Sequence, residues 1–129
     1  MPDIQKILQL EDEEVVQDIV KTVLERKGIE IELVINLEQA MQALDGLNGY
    51  SGLSQYDALL LDMMLPDGKG SDIAKKVREL GFQGRIVMFS GRDMQDAKEQ
   101  TQDLDNIGYL NKPTRPKNFI PALEGTYSD

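Results

Sequence analysis

Short apolar runs alternate with helical patterns five times along this chain of 129 residues. Two of the runs, "DALLLD" at 57–62 and "RIVMFS" at 85–90, are apolar almost without interruption, which is typical of strands covered on both faces. Strands that alternate with helices are joined by right-handed crossovers and form a parallel sheet. We therefore expect an α/β fold over residues 1–129, a single domain with a doubly wound parallel sheet and helices on both faces.

Turn and cap residues divide the chain into five predicted strands and the helices between and after them. Asn36, with Gln39 three residues later, resembles a helix N-cap with a reciprocal partner. The helix over 71–80 is expected to turn Leu80 toward the core, and Asn118 is expected to cap a short last helix that has Pro121 in its first turn. The predicted strands cover 4–10, 29–35, 57–62, 85–90 and 107–110.

The composition excludes several kinds of site. The chain contains neither cysteine nor histidine, so a disulfide framework, a thiol nucleophile and an imidazole base are all ruled out. Any bound metal must be held by oxygen atoms, which favours a hard ion such as Mg²⁺. The formal net charge of −9 gives no general attraction to nucleic acid or to an anionic membrane. Since the first residues lack a signal-peptide layout and no apolar run could span a bilayer, we expect a cytoplasmic location.

Polar residues stand at the ends of four predicted strands. In open parallel sheets, ligands bind outside these carboxyl ends. Taken singly, each residue has an ordinary explanation, since an aspartate there is usually a helix cap, a serine a turn residue and a lysine a surface charge. Together they bring three carboxylates, a hydroxyl and an ammonium to one edge of the sheet. The residues are Glu11, Asp12, Asp62, Ser90 and Lys112.

Asp62 ends a buried strand, and its carboxylate could serve as a helix cap, a metal ligand or a nucleophile. Crowded carboxylates raise one another's pKa unless a cation lies among them. With Mg²⁺ on Glu11 and Asp12, Asp62 could stay ionised and act as a nucleophile toward phosphorus. The metal, the Lys112 ammonium and the Ser90 hydroxyl would then face the oxygens of a transferring phosphoryl group.

The order of these motifs resembles the response-regulator receiver domain of two-component signal transduction, over essentially the whole chain. The matching segments are "LEDEE" after the first strand, "LLLDMMLPDGKG" around Asp62, "VMFSG" at the end of the fourth strand and "YLNKP" at the end of the fifth. Each motif alone is weak, but four in order within one domain of this size are specific. The resemblance implies a flavodoxin-like, five-stranded parallel sheet in the order 2-1-3-4-5.

The resemblance also implies a role for each residue of the site. Asp62 would be the phosphoacceptor, assisted by Ser90 and Lys112. The site would bind Mg²⁺, for which Mn²⁺ could substitute because it also accepts oxygen ligands. The implied metal ligands are Glu11, Asp12, Asp62 and the backbone carbonyl of Met64.

Two further features follow from the same resemblance. Ser90 and Tyr109 would couple the phosphoryl group to a conformational switch, in which Tyr109 turns inward as the Ser90 hydroxyl is drawn toward Asp62. The alternative for Tyr109 is an ordinary aromatic residue of an edge strand. The peptide bond between Lys112 and Pro113 would be cis, a conformation that is accessible because the bond precedes proline.

The implied partners are those of phosphorelay signalling. The donor would be a phosphohistidine on a histidine kinase or a histidine phosphotransfer protein, and a chain without histidine can accept from such a donor but cannot be one. Output would go to an effector domain, to a protein partner or through a phosphorylation-dependent dimer. The domain would not contact nucleic acid or membrane, and it would not turn over external substrates. Its catalysis would be limited to phosphotransfer to, and hydrolysis from, its own Asp62.

Three alternatives remain open at this point. The chain could be a pseudo-receiver that binds partners without being phosphorylated, although the complete set of site residues argues against it. It could be an aspartate-nucleophile phosphohydrolase, but those enzymes need a second acid two residues after the nucleophile, where this chain has Met64. Finally, the domain could belong to a larger regulator or a hybrid kinase.

Overall fold

A computed structural model describes residues 4–127, so residues 1–3 and 128–129 of the expected domain lie outside the described residues. The strands are β1 Lys6–Leu10, β2 Glu30–Val34, β3 Ala58–Asp62, β4 Met64–Leu65, β5 Gly68–Lys69, β6 Arg85–Ser90 and β7 Ile107–Asn111. The helices are α1 Glu14–Glu25, α2 Leu37–Leu44, α3 Gly70–Glu79, α4 Met94–Thr101 and α5 Phe119–Glu124. Single 3₁₀ turns precede β3 and α5, at Leu53–Gln55 and Pro116–Asn118.

Five strands form one parallel sheet in the order β2-β1-β3-β6-β7. Counted over these five strands, the order is 2-1-3-4-5, so the predicted doubly wound, flavodoxin-like α/β fold is confirmed. Because all five strands run the same way, their carboxyl ends lie along one edge. That edge carries the polar residues identified in the sequence.

The sheet separates two apolar cores, which explains why its central strands are continuously apolar. One face, with Leu59 and Leu61, packs against α2, α3 and α4, and the other, with Leu60 and Val87, packs against α1 and α5. All five residues of β3 are buried. Each fully buried leucine of this kind contributes about 1.5–3 kcal/mol to stability.

The predicted cap of α2 is present, with one difference. The Asn36 side chain accepts a hydrogen bond from the Gln39 backbone N–H at 2.8 Å, as expected. The Gln39 side chain accepts in return from the Ile35 N–H at 3.1 Å, one residue earlier than a standard capping box. The prediction that Leu80 turns toward the core was wrong. Helix α3 ends at Glu79, and Leu80 is 52% exposed.

The segment after Asp62 and the start of the last helix both differ from what their proline and glycine residues suggest. Met64–Leu65 and Gly68–Lys69 pair as a small antiparallel hairpin between β3 and α3. The last helix has Pro121 in its first turn as predicted, but Asn118 does not cap it. The Asn118 amide nitrogen instead donates to the Thr114 hydroxyl at 2.9 Å.

Within residues 4–127, none of the helices has the length and apolar character needed to cross a membrane.

Candidate functional site

The predicted site residues meet at the carboxyl edge of the sheet because each follows or ends a parallel strand. Glu11 comes directly after β1, Asp62 is the last residue of β3 and Ser90 is the last residue of β6. Lys112 comes directly after β7. Residues more than a hundred positions apart in the chain are thereby brought into direct contact.

Lys112 lies at the centre of this edge and contacts three carboxylates. Its Nζ atom is 3.0 Å from Glu11 Oε2, 2.8 Å from Glu13 Oε1 and 3.3 Å from Asp62 Oδ2. The Lys112 side chain is 15% exposed, so these ion pairs are only partly screened by water. Its ammonium group also lies 5.5 Å from the centre of the Phe89 ring, which faces it from β6.

The two central acids, Glu11 and Asp62, are buried, and burial raises the pKa of each because it disfavours the charged carboxylate. Burial, together with the nearby charge of Asp62, raises the pKa of Glu11 to about 7, although Lys112 acts in the opposite direction. Burial also raises the pKa of Asp62, against the lowering effects of Lys112 and the Met63 N–H. Burial would lower the pKa of Lys112, but the hydrogen bonds to Glu13 and Glu11 outweigh it and raise that pKa. One ammonium therefore does not fully compensate these carboxylates, and a further cation would stabilise them.

Four carboxylates are placed so that they could share a metal ion. One oxygen from each of Glu11, Asp12, Glu13 and Asp62 lies within 4.8 Å of the others. A donor set made only of oxygens fits a hard ion such as Mg²⁺ or Mn²⁺. Met64, the other expected ligand through its carbonyl, follows Asp62 by two residues and has a side chain that is 47% exposed.

Glu13 is a site residue that sequence reasoning missed. It is the third acid of the run "EDEE" at 11–14, and the run itself was the signal. Its carboxylate pairs with Lys112 on the open side of the cluster, where its side chain is 61% exposed. Glu13 therefore competes with Asp62 for the same ammonium group.

The backbone around Asp62 is tightly packed and fixes its carboxylate. The Met63 N–H donates to Asp62 Oδ1 at 2.8 Å, and the Gly70 N–H donates to the Met63 carbonyl at 2.7 Å. A Cβ atom added to Gly70 would lie 1.8 Å from the Asp62 carbonyl oxygen. Glycine is therefore required at the start of α3 to let the helix approach the end of β3 so closely.

Ser90 and Tyr109 occupy neighbouring strands on the α4 side of the sheet. Ser90 is 2% exposed, and its carbonyl accepts from the Lys112 N–H at 2.9 Å. Tyr109 is half-buried, and its hydroxyl lies 2.5 Å from Thr101 Oγ1 of α4, with Lys98 Nζ 5.6 Å from the ring centre. The structure thus holds Tyr109 against α4.

The peptide bond between Lys112 and Pro113 is cis, as the resemblance implied.

A five-stranded doubly wound sheet with acids, a serine and a lysine at its carboxyl edge defines a class of phosphoacceptor signalling domains. Comparison with known families agrees: residues 7–124 match the response regulator receiver domain. The chain therefore belongs to the response regulator receiver family of two-component systems. Receiver domains of this family serve in signalling and are not metabolic enzymes.

Relatives and solved structures support the same family. The chain is 32% identical over 118 residues to the transcriptional regulatory protein DltR of Streptococcus agalactiae, covering 92% of this chain and 50% of DltR. It is 31% identical over 111 residues to CutR of Streptomyces coelicolor, covering 84% of this chain and 46% of CutR. This chain thus spans about half the length of the curated relatives it matches.

Among solved structures, a CheY-like receiver domain from Methylobacillus flagellatus is 26% identical, with a TM-score of 0.75 over 97% of this chain and 100% of that one. A response regulator from Chloroflexus aurantiacus has a TM-score of 0.79 at 24% identity, over 96% of this chain and 98% of that one. At that identity, the second likeness concerns the fold alone.

Proposed function

We propose that residues 1–129 act as one receiver domain that accepts a phosphoryl group on Asp62. The observation that carries the proposal is the placement of the Asp62 carboxylate. It is nearly buried at the sheet edge, bonded to Lys112 and the Met63 N–H, and surrounded by three further acids. A helix cap would not need this arrangement, and Asp62 makes no cap contact among the described residues.

The charges around Asp62 suit a phosphoryl transfer. An Asp62 oxygen attacks phosphorus of a phosphohistidine on a histidine kinase or phosphotransfer protein, and the phosphorus–nitrogen bond breaks. The leaving nitrogen keeps the bond's electron pair, so a donor imidazole that is protonated on its other ring nitrogen leaves as neutral histidine. Lys112 offsets the negative charge of the phosphoryl oxygens, and the Ser90 hydroxyl donates a hydrogen bond to one of them.

The carboxylates that flank Asp62 are the residues that would hold Mg²⁺ or Mn²⁺. Glu11, Asp12 and Asp62 would supply carboxylate oxygens, and Glu13 lies close enough to join them. Met64 would supply its backbone carbonyl. When bound, the ion supplies the positive charge that this group of acids lacks. Lys112 would then be freed from part of its present pairing and could face the phosphoryl group.

The same site limits what chemistry follows. Water can hydrolyse the acyl phosphate, which returns Asp62 to its starting state and makes the reaction a self-catalysed reset. Turnover of external substrates is not expected, because the residue two positions after Asp62 is Met64 and carries no acid. The phosphorylated state would therefore last only until its own acyl phosphate is hydrolysed.

The switch is proposed to use Ser90 and Tyr109. Phosphorylation draws the Ser90 hydroxyl toward Asp62, and Tyr109 turns inward into the space that becomes available. In the structure, Tyr109 is restrained by the Thr101 hydroxyl, so the inward turn requires that hydrogen bond to break. Two discrete positions of one side chain are the kind of bistable element that a small charge change can bias.

We infer the cellular setting from the family. The domain would receive its phosphoryl group in the cytoplasm and pass its signal to an effector domain, a protein partner or a second copy of itself. Contact with nucleic acid or membrane by this domain is not expected for a chain of net charge −9. DltR and CutR are transcriptional regulators that are about twice as long as their match to this chain, so an attached effector domain is one form of this proposal.

Beryllofluoride, which mimics an aspartyl phosphate, provides the test. With Mg²⁺ and beryllofluoride, we expect NMR amide shifts at Asp62, Ser90 and Tyr109, and none with beryllofluoride in the Asp62→Asn variant. A spectrum that does not change in the native chain would contradict the proposal and favour a pseudo-receiver. Multiple turnover of a simple phosphate ester would instead favour the phosphohydrolase.

A further inference from the structure

Lys112 is the shared cation of the phosphoacceptor edge, and its hydrogen-bonding capacity is already in use. An ammonium group has three N–H donors. Lys112 Nζ lies 2.8 Å from Glu13 Oε1, 3.0 Å from Glu11 Oε2 and 3.3 Å from Asp62 Oδ2. The contact with Asp62 is the longest of the three. A phosphoryl group on Asp62 would bring oxygens that need the same ammonium, so one carboxylate has to give up its contact.

Exposure to water decides which carboxylate can be released. The Glu11 side chain is 1% exposed, so without Lys112 its charge would stay buried and unpaired, which is costly. The Glu13 side chain is 61% exposed, so water can replace the ammonium at little cost. Glu13 is therefore the partner that can leave Lys112 while the rest of the cluster stays in place.

The surroundings of Glu13 leave room for its side chain to turn away. Glu13 directly precedes α1, and its side chain makes no capping hydrogen bond to that helix. Its backbone N–H donates to Glu11 Oε2 at 3.2 Å, which holds the main chain in place. Glu13 and Lys112 both line a cavity of about 270 Å³ beside α1. The Glu13 carboxylate can thus turn away from Lys112 without a shift of α1 or of any strand.

We propose that Glu13 regulates phosphoryl uptake by holding the Lys112 ammonium in the unphosphorylated protein and releasing it when a phosphoryl group reaches Asp62. This inference rests on the phosphoacceptor function proposed above. The ion pair with Glu13 stabilises the unphosphorylated protein and is lost in the transition state, so Glu13 slows uptake. After transfer, the phosphoryl oxygens hold Lys112 and Glu13 faces water. Glu13 should then have no effect on hydrolysis of the acyl phosphate.

Two neighbouring glutamates provide a matched comparison in the full 129-residue chain. Glu13→Gln removes the charge that holds Lys112, whereas Glu14→Gln removes an equal charge from an exposed residue in the first turn of α1. With saturating Mg²⁺ and acetyl phosphate, uptake followed by intact-protein mass spectrometry should be about threefold faster in Glu13→Gln. Glu14→Gln should match the native chain.

Three further measurements separate the release of Lys112 from other effects of the lost charge. Phosphoramidate, which carries less negative charge than acetyl phosphate, should give the same ratio of uptake rates, because the effect does not come from attraction of the donor. The rate of acyl-phosphate hydrolysis after removal of the donor should be equal in the native chain and in Glu13→Gln, which a general loosening of the site would not give. In metal-free buffer, the carboxyl ¹³C signal of Asp62 should shift in Glu13→Gln and not in Glu14→Gln, because the freed ammonium moves toward Asp62.

The inference is overturned if Glu13→Gln takes up the phosphoryl group at the native rate, if Glu14→Gln accelerates uptake equally, or if hydrolysis accelerates along with uptake. An Asp62 signal that stays unchanged in Glu13→Gln also overturns it. Slower uptake in Glu13→Gln would do the same and would indicate that Glu13 is a metal ligand. A native chain that takes up no phosphoryl group contradicts the proposed function and this inference together. Any of the other outcomes, in a native chain that is phosphorylated, contradicts this inference alone.

Discussion

At the scale of single residues, Lys112 balances much of the negative charge of the site. Replacing it by methionine would leave Glu11 and Asp62 buried without their ammonium partner. In metal-free buffer at pH 8, we expect Lys112→Met to lower the free energy of unfolding by on the order of 3 kcal/mol, as measured by urea denaturation.

The loss should shrink at pH 5, because Glu11, with its pKa raised to about 7, is then mostly protonated and needs the ammonium less. Lys117→Met, at an exposed position before α5, is the matched control and should change stability little. An equal loss at both pH values would contradict this account of the charge balance.

Gly70 tests how tightly the start of α3 packs on Asp62. Gly70→Ala places a methyl group where the Asp62 carbonyl oxygen already lies, so we expect a loss of about 3 kcal/mol in thermal or urea unfolding. Gly81→Ala is the control, since Gly81 has φ 92° but no atom within 4 Å of the added Cβ. It should cost only about 1 kcal/mol, from backbone strain alone. Equal losses in the two variants would show that crowding at Asp62 is unimportant.

Sequence reasoning found most of the site at this scale because strand ends of a parallel sheet must meet. It therefore predicted that Glu11, Asp62 and Lys112 would lie together. It did not find Glu13, because which of four successive acids turns toward a lysine depends on side-chain rotation at the start of α1. Nor did it explain Gln9 of β1, whose amide is buried with its Nε2 atom unpaired among the described residues.

At the scale of elements, a cluster of polar side chains binds the connection between α2 and β3 to strands β1 and β2, away from the phosphoacceptor edge. Glu32 of β2 pairs with Lys6 at 2.7 Å and accepts hydrogen bonds from the Ser51 backbone N–H at 3.0 Å and the Tyr56 hydroxyl at 2.8 Å. Burial alone would raise the pKa of Glu32, but the hydrogen bonds from Lys6, Ser51 and Tyr56 outweigh it and lower that pKa to about 2. One carboxylate thus joins β1, β2 and this connection.

Because the pKa of Glu32 is lowered in the folded protein, the free energy of unfolding should depend on pH through this residue. A carboxylate with a depressed pKa contributes stability above its unfolded value, 4.5, and that contribution is lost as pH falls toward 2. Urea unfolding at pH 6 and pH 3 should therefore show Glu32→Gln less stable than the native chain at pH 6, by about 1–2 kcal/mol after allowance for screening. The gap should narrow at pH 3. A gap that stays constant would show that the charge of Glu32 does not matter.

The restraint of Tyr109 by α4 can be tested in the same way. The Thr101 hydroxyl donates to the Ala97 carbonyl at 2.7 Å and can then accept from the Tyr109 hydroxyl. In Thr101→Val, Tyr109 loses about 1 kcal/mol of restraint, so its inward position should gain about fivefold in population. Side-chain NMR of Tyr109 without beryllofluoride would measure this change.

Thr22→Val is the control, because Thr22 of α1 makes the same kind of bond to its own helix backbone, to Asp18, and contacts no tyrosine among the described residues. If Tyr109 responds equally to both changes, or to neither, the hydrogen bond to Thr101 does not hold the switch.

The elements themselves were largely predictable, because β-branched and leucine-rich runs, cap residues and helical spacing all agree with one topology. The exceptions have local causes. The hairpin of β4 and β5 is only two residues long on each side, too short for any periodicity to indicate it. By its spacing in the sequence Leu80 continues the apolar stripe of α3, but the helix ends one residue earlier.

At the scale of the whole molecule, topology places the chemistry. The strand order β2-β1-β3-β6-β7 puts β3 at the centre, so Asp62 lies between the acids that follow β1 and the serine that ends β6 and the lysine that follows β7.

Whether Asp62 accepts a phosphoryl group can be measured by intact-protein mass spectrometry. After incubation with Mg²⁺ and acetyl phosphate, the native chain should gain the mass of one phosphoryl group, as should Asp103→Asn at an exposed position after α4. Asp62→Asn should gain nothing, and removal of the metal with a chelator should prevent the gain in the native chain. An unchanged mass in the native chain, or an equal gain in Asp62→Asn, would contradict the account.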